Sequence, residues 1–158
     1  MQISRAGEYG VLGMLHLARQ APGQVVMLSD VSRGQQIPHS FLAKIFQSLA
    51  RAGLVESCRG VGGGFTLTRR PGEISVLEVI EAIEGPIALQ RCQLDAAACR
   101  QINDCPLCGL LGQAQDQVRE TFARTSLADL AADPRGPAGP KTGRSASRHR
   151  SLASTGRR

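Results

Sequence analysis

The sequence predicts a mainly α-helical fold with a small β-hairpin wing, in which a winged helix-turn-helix is followed by one long helix. Apolar residues recur at helical spacing in several segments, and a proline separates two short segments of this kind at Pro38. A glycine-rich stretch then divides two short β-prone runs. Because aromatic residues make up only 3% of the chain and Trp is absent, the core must be aliphatic, which favours packed helices.

The first two helices are predicted from the residues that can cap them. Ser4 is suited to cap a helix over residues 4–19. Residues 25–27 are apolar and predict a short extended piece. Ser29 is then predicted to cap a second helix that runs from about Asp30 to Gln36.

A third helix is predicted to begin at Pro38 and to run to about Ala52, where Gly53 suits a left-handed C-terminal cap. Two short helices joined by a tight turn, the second of them amphipathic, indicate a helix-turn-helix whose second helix reads DNA. The apolar stripe of this recognition helix consists of Phe41, Leu42, Ile45, Phe46 and Leu49.

The segment after this helix predicts a DNA-binding wing. Residues 54–57 and 65–68 are β-prone, and the glycine-rich tip between them carries Arg59. Glycine lets the backbone approach a groove closely, and an arginine can enter a narrow, electronegative minor groove. Cys58 is interpreted as a small β-compatible residue, with a redox-reactive thiol beside Arg59 as the alternative.

Residues that contact DNA are predicted from their position and charge. Lys44 and Gln47 can reach base edges, whereas Ala43 can touch only a thymine methyl group. Phosphate contacts position a protein without specifying sequence, and a merely solvated charge is the alternative for each basic residue. The predicted contacts are Arg59 in the minor groove, His39, Ser40, Lys44 and Gln47 on the recognition helix, and Arg5, Arg33 and Arg51 on phosphates.

A fourth helix is predicted to open on a capping box formed by Ser75 and Glu78 and to end at about Glu84, before Gly85-Pro86. Its glutamates at 78, 81 and 84 are expected to be solvated. The predicted buried face consists of Val76, Leu77, Val79, Ile80 and Ile83.

A long helix of about eighteen residues is predicted near the end of the folded part, with one apolar stripe along its length. No other predicted element is left to cover this stripe, so we interpret the helix as a dimer helix that packs against its twin. A last short helix is expected over residues 127–131. The stripe consists of Leu107, Leu110, Leu111, Ala114, Val118 and Phe122.

Four of the five cysteines lie between Cys92 and Cys108, in a stretch that predicts neither helix nor strand. Thiolates are soft ligands that select zinc or iron–sulfur clusters. Structural zinc sites usually use two close cysteine pairs, and only Cys105 and Cys108 have that spacing. Iron–sulfur sites tolerate irregular loops because the cluster spans the gaps, so this spacing favours a cluster over zinc or a metal-free redox thiol.

Charge divides the chain into three parts. Residues 1–70 carry eight basic and three acidic residues, and residues 71–133 carry four basic and ten acidic residues. The tail carries seven basic and no acidic residues from position 134 to the end, with the Pro, Gly and Ser content of a disordered segment. We predict a DNA-binding domain over residues 1–84, a cluster-binding loop with the dimer helix over residues 85–132, and a disordered basic tail over residues 133–158.

Several classes of protein are disfavoured. No apolar run approaches the ~20 residues of a transmembrane helix, and the first residues lack the layout of a secretory signal, so we expect a cytoplasmic protein without a membrane partner. No catalytic triad, paired catalytic carboxylates or phosphate loop is apparent, so we do not expect an enzyme. His16 lies among apolar residues and is interpreted as a core or interface histidine.

The sequence resembles the IscR/NsrR/RirA-type bacterial regulators, which are winged helix-turn-helix dimers that often carry an iron–sulfur cluster. The resemblance covers about residues 1–132 and implies a homodimer that reads a palindromic operator, with the long helices crossed at the dimer interface. It rests on Ile3-Ser4 through Tyr9, on residues 49–55, on Arg59-Gly60 with residues 62–65, on Ile74-Ser75-Val76, on the loop cysteines and on residues 126–130.

The resemblance also implies the ligands of the cluster. Cys92, Cys99 and Cys105 match the three cysteine positions of the cluster-binding members. The fourth ligand varies in the family, and the candidates are Cys108, which is local and softer, and the partner subunit's Glu8. The cluster is then [2Fe–2S] or [4Fe–4S].

The predicted function is that of a transcriptional regulator, such as a repressor, that senses redox state, nitric oxide or iron–sulfur status through this cluster. The alternatives are a metal-free or thiol-gated winged-helix regulator and an iron–sulfur electron carrier or accessory protein. The signal, the target genes and the choice between activation and repression stay open at this point.

Overall fold

A computed structural model of the protein describes residues 2–95 and 105–132. The described part is mainly helical with one hairpin, which confirms the predicted fold class. The predicted basic tail and Cys99 lie outside the described residues. The elements are α1 (Arg5–Ala18), α2 (Leu28–Gln35), α3 (His39–Arg51), β1 (Val55–Cys58), β2 (Gly64–Leu67), α4 (Val76–Glu84), α5 (Pro106–Arg124) and α6 (Leu127–Ala132), with single 3₁₀ turns at Pro71–Glu73 and Arg91–Gln93.

The second helix begins two residues earlier than predicted. α2 starts at Leu28 with Met27 as its N-cap, and no side chain caps it, so the expectation for Ser29 is wrong. The cause is tertiary: Val26 exchanges two backbone hydrogen bonds of 2.9 Å with Phe65. This bridge ends the extended piece at Val26, and the Met27 carbonyl then accepts the first helical hydrogen bond, from the Asp30 N–H at 2.9 Å.

The turn between α2 and α3 completes a helix-turn-helix. Gln36 lies in the left-handed region with φ +56° and ends α2, and Gly53 with φ +72° follows α3 as predicted. Four of the five stripe residues of α3 are buried. Phe41 is the exception, since it is 42% exposed and its ring contacts the edge of the Tyr9 ring at 5.8 Å between centroids.

Helix α1 lies at the centre of the fold because glycines line its buried face. Gly7, Gly10 and Gly13 recur every third residue and are all buried. A Cβ atom at Gly10 would overlap the Ile83 side chain of α4, and one at Gly13 would lie 2.8 Å from the Phe46 ring of α3. The absence of side chains therefore lets α1 pack closely against both the recognition helix and the helix that leads to the cysteine segment.

Helix α4 opens on the predicted capping box. The Ser75 hydroxyl accepts from the Glu78 N–H at 3.2 Å, and the Glu78 carboxylate accepts from the Ser75 N–H at 2.8 Å. Of its other glutamates, Glu84 is exposed as expected and Glu81 is half-buried, and both have partners in the chain. Glu81 pairs with Arg119 of α5, and Glu84 accepts two hydrogen bonds from Ser4, the N-cap of α1.

Helix α5 has no buried residue within the described chain. Leu107 and Leu110 of its apolar stripe are 56% and 61% exposed. The other end of the stripe has a partner in its own chain, because Phe122 packs against a small cluster with Val76, Ile80 and Ile87. No helix among the described residues is both long and apolar enough to cross a lipid bilayer.

Candidate nucleic-acid interface and sulfur site

The recognition helix presents a polar face to solvent. The predicted base-reading residues lie on α3 on the side away from its four buried apolar residues, and all of them are exposed. A helix of this polarity fits the major groove of B-DNA, where amide and ammonium groups can donate to base edges. The residues are His39, Ser40, Lys44 and Gln47; Ala43, between them, is half-buried.

The wing ends in a tight glycine turn. Cys58 pairs with Gly64 at the last position of the hairpin, and Gly60 and Gly62 adopt φ +109° and +80°, which are accessible to glycine at little cost. Arg59 is exposed at this tip, and Val61 is fully exposed two residues further on. The tip of the hairpin therefore presents the Arg59 guanidinium and the Val61 side chain on a thin glycine turn.

The three predicted phosphate contacts are also exposed, but each has a partner in the free protein. Arg33 forms an ion pair with Asp30, which lies three residues earlier in α2. Arg51 donates to the Ser48 hydroxyl at 3.1 Å, and Arg5 donates to the Tyr9 hydroxyl at 3.5 Å. These exposed pairs are weak and can exchange for phosphate oxygens at small cost.

Three of the four clustered cysteines are described, and all three are free and half-buried. Cys92 lies in the 3₁₀ turn Arg91–Gln93. Cys105 is the N-cap of α5, and Cys108 lies in the first turn, where its N–H donates to the Cys105 carbonyl at 3.1 Å. Within residues 2–95 and 105–132, no three His, Cys, Asp or Glu side chains converge into a metal site.

Glu8, the competing fourth ligand, lies on the outer side of α1. It is exposed and lines an apolar groove of about 320 Å³ whose other walls are Ile3, Val11, Leu12, Val76, Ile80 and Phe122. A carboxylate at the edge of an open apolar groove is available to a second molecule.

A hydrogen-bond network that the sequence reasoning missed ties the Cys92 turn to both flanking helices. The Glu81 carboxylate of α4 accepts from the Ile87 N–H at 3.1 Å as well as from Arg119. The Gln115 side chain of α5 accepts from the Leu89 N–H at 3.1 Å. Most of these donors are backbone groups, so no side-chain pattern in the sequence could have revealed the network.

The chemistry of the donor set fits a sulfur-rich anionic group. The clustered ligands are soft thiols. The residue next to Cys92 supplies a buried donor, the Gln93 Nε2 atom, which has no partner within residues 2–95 and 105–132. Cys92, Cys105 and Cys108 would hold an iron–sulfur cluster together with Cys99, whose position is outside the described residues.

A chain of contacts leads from the cysteine segment to the recognition helix. Glu84, the last residue of α4, accepts from the Ser4 N–H and hydroxyl, each at 2.9 Å. Ser4 caps α1, and α1 in turn carries Tyr9, whose ring meets Phe41 of α3. A displacement of the end of α4 therefore acts on α1, on which the recognition helix also rests.

Comparisons with known proteins agree with this geometry. A family model described as "Rrf2: Iron-dependent Transcriptional regulator" matches residues 3–133. The chain is 39% identical over 132 residues to the ORF2 protein of Azotobacter vinelandii, covering 84% of this chain and 80% of that protein. It is 34% identical over 130 residues to the HTH-type transcriptional regulator IscR of Xenorhabdus nematophila, covering 82% and 79%.

Among solved structures, the fold is similar to that of CymR, the global cysteine regulator of B. subtilis. The TM-score is 0.70 at 28% sequence identity, and the match covers 84% of this chain and 97% of CymR. The described fold and the solved one therefore share the winged helix-turn-helix.

Proposed function

The chain belongs to the Rrf2 family of iron-dependent transcriptional regulators, and on that premise we propose that an iron–sulfur cluster sets its affinity for DNA. Members of this family are DNA-binding regulators rather than enzymes, so the expectation that the chain is not an enzyme is confirmed. The observation that carries the proposal is the placement of the thiols. Cys92, Cys99 and Cys105 lie in the segment between α4 and α5, Cys92 in its 3₁₀ turn and Cys105 at its end, and Cys108 lies in the first turn of α5.

The proposed ligands are Cys92, Cys99 and Cys105, with Cys108 as the fourth. Cys108 is half-buried and only three residues from Cys105, in the first turn of α5. The partner subunit's Glu8 is the competing fourth ligand. Whichever ligand completes the site, soft thiolates dominate it, as an iron–sulfur cluster of either the [2Fe–2S] or the [4Fe–4S] type requires.

When bound, the cluster supplies a centre whose oxidation, nitrosylation or loss changes the ligation of the segment. Residues of the chain transmit that change from the segment to the recognition helix. Glu81 and Gln115 bind the N–H groups of Ile87 and Leu89, just before the Cys92 turn, and so hold that part of the segment against α4 and α5. Glu84 holds the end of α4 against α1. A two-state change in the segment then shifts the population of recognition-helix positions.

The chain is proposed to act as a homodimer on a palindromic operator in the cytoplasm, where bacterial DNA lies. The exposed leucines of α5 face a second copy, and two recognition helices must be about 34 Å apart to enter successive major grooves. In each half-site the contacts are those of the recognition helix, the wing arginine and the three phosphate-binding arginines described above.

The three parts of the chain have separate proposed roles. Residues 1–84 bind DNA, and residues 85–132 hold the cluster and the dimer helix. The basic tail, over residues 133–158, adds sequence-independent attraction to phosphates by counterion release.

Anaerobic purification followed by iron, acid-labile sulfide and visible absorption measurements tests the proposal. Wild-type protein is expected to be coloured and to contain both iron and sulfide, and Cys92→Ala is expected to be colourless. Cys58→Ala is the matched control, because Cys58 lies on β1 and outside the segment, so this variant keeps the colour. A colourless wild type without iron or sulfide excludes the cluster.

A thiol-gated regulator without metal is the second candidate function, and the similarity to the global cysteine regulator CymR favours it. In that case the wild type is colourless, and oxidation of the thiols changes the affinity for DNA. The third candidate, an iron–sulfur electron carrier, requires a coloured protein whose affinity for DNA is the same with and without the cluster.

A further inference from the structure

The carboxamide of Gln93 is fixed in one orientation by its neighbours. Its Oε1 atom accepts from the Leu89 N–H and from the Gln90 N–H, both at 3.1 Å. Because both partners are donors, the atom that faces them must be the oxygen, which rules out the flipped amide. The Nε2 atom is therefore held on the other side of the group, as a donor.

That donor is buried and has no acceptor among the described residues. Among the buried side-chain nitrogen and oxygen atoms of the described residues, Gln93 Nε2 is the one without a hydrogen-bond partner. A buried amide N–H group without an acceptor is unfavourable, and native proteins seldom keep one unless an ion, a water or a ligand completes it. Gln93 follows Cys92 directly, in the same 3₁₀ turn.

We propose that Gln93 is a positioning residue of the sulfur centre, whose Nε2 donates to a thiolate or sulfide of the bound cluster. The inference rests on the proposed function, since an anionic sulfur acceptor is present there only if the cluster is bound. An N–H donor to a cluster sulfur stabilises the more negative, reduced form and so raises the reduction potential. The oxygen of the same side chain has a separate role, since it accepts from two N–H groups of the turn.

The same residue connects the sulfur centre to the dimer helix. The Leu89 N–H is shared between Gln93 Oε1 and Gln115 Oε1, each at 3.1 Å. Gln115 lies one turn before Arg119, which pairs with Glu81 of α4. If Gln93 moves after a change at the sulfur, its bond to the Leu89 N–H changes, and with it the bond between the same N–H and Gln115 of α5.

Spectroelectrochemistry of the cluster-loaded protein tests the assignment. Gln93→Glu keeps the size and the acceptor but replaces the N–H donor by an anionic oxygen. Its reduction midpoint is expected to fall, so that the ratio of reduced to oxidised protein at a fixed solution potential drops roughly tenfold or more. Gln93→Met removes the donor, together with the acceptor, without adding charge, and its reduction midpoint is expected to fall by less.

Gln90→Glu is the matched control, because it adds the same charge at an exposed neighbouring position. The reduction midpoint of Gln90→Glu is expected to stay closer to that of the wild type than the reduction midpoints of the two Gln93 variants do. If both Gln93 variants lose the cluster, the thermal unfolding of cluster-free Gln93→Glu decides, because this variant keeps an oxygen that can accept from the Leu89 and Gln90 N–H groups. An unchanged unfolding midpoint supports the assignment, and a lowered one shows a structural role that overturns it.

Two further outcomes overturn the proposal, and they are distinguishable. If the wild type is coloured and the Gln93 variants have the same reduction midpoint as the wild type, Gln93 is not part of the site, but the cluster is still present. A colourless wild type without iron removes the cluster itself and, with it, the role of Gln93.

Discussion

At the scale of single residues, Arg59 carries the simplest part of the DNA-binding account. It stands exposed on a turn whose glycines adopt backbone conformations that other residues avoid, so the support is narrow enough for a minor groove. The guanidinium has no competing ion pair among those found in the described residues. Its full charge is therefore available to phosphates or to the groove.

Replacement of Arg59 by Ala is expected to weaken operator binding by ~1–3 kcal/mol, because it removes one groove contact from each half-site. Fluorescence anisotropy with a labelled operator at fixed salt concentration measures this loss. Arg124→Ala removes the same charge from the end of α5 and should leave the affinity nearly unchanged. Equal affinities for the two variants would remove Arg59 from the interface.

At the scale of elements, two capped helix starts lie side by side. Ser75 with Glu78 caps α4, Ser126 with Asp129 caps α6, and the two serines form a backbone bridge. Burial raises the pKa of Glu78, but hydrogen bonds from Ser75 and Arg69 outweigh it and hold that pKa below its usual value. Hydrogen bonds from Ser126 likewise lower the pKa of Asp129.

These lowered pKa values predict acid sensitivity at the junction of α4 and α6. A carboxyl group whose pKa is lower in the folded state contributes stability that is present above its unfolded pKa, about 4, and is lost as pH falls through the folded value. The midpoint temperature of thermal unfolding of the cluster-free protein should therefore decrease when the pH is lowered below about 4. Part of this pH dependence should disappear in Glu78→Gln.

The same substitution at Glu56, which is exposed on β1, serves as the control and should leave the pH dependence unchanged. An identical pH dependence in Glu78→Gln and in the wild type would show that this capping box does not contribute to acid sensitivity.

Helix α5 gives the second prediction at this scale, because it is long yet has no buried residue in the described chain. Burial of a leucine contributes about 1.5–3 kcal/mol, and a twofold dimer buries Leu110 twice. Leu110→Glu should therefore weaken dimerisation by roughly a hundredfold or more, as measured by sedimentation equilibrium. Ala123→Glu adds the same charge on a different side of α5 and should remain dimeric. A Leu110→Glu variant that dimerises like Ala123→Glu would place the interface elsewhere.

At the scale of the whole molecule, the parts that depend on local chemistry could be predicted from the sequence. The capping box at Ser75 and the left-handed position at Gly53 follow from neighbouring residues alone. The start of α2 could not be predicted, since the bridge between Val26 and Phe65 joins residues far apart in the chain.

The candidate site divides in the same way. Four close thiols predict a sulfur site because cysteine chemistry is visible in a sequence. The roles of Glu81, Gln93 and Gln115 depend on hydrogen bonds that their side chains accept from the backbone N–H groups of residues 87–90, and those bonds exist only in the folded chain.

A paired binding assay tests whether the cluster sets the affinity for DNA. Anaerobically purified protein is titrated onto a labelled operator, and the same preparation is titrated again after the cluster has been removed by chelation. The two dissociation constants are expected to differ by about tenfold or more, a coupling free energy of about 1.4 kcal/mol, and Cys92→Ala is expected to behave like the cluster-free protein. A loaded protein that binds the operator with the same affinity as its cluster-free form would contradict this expectation.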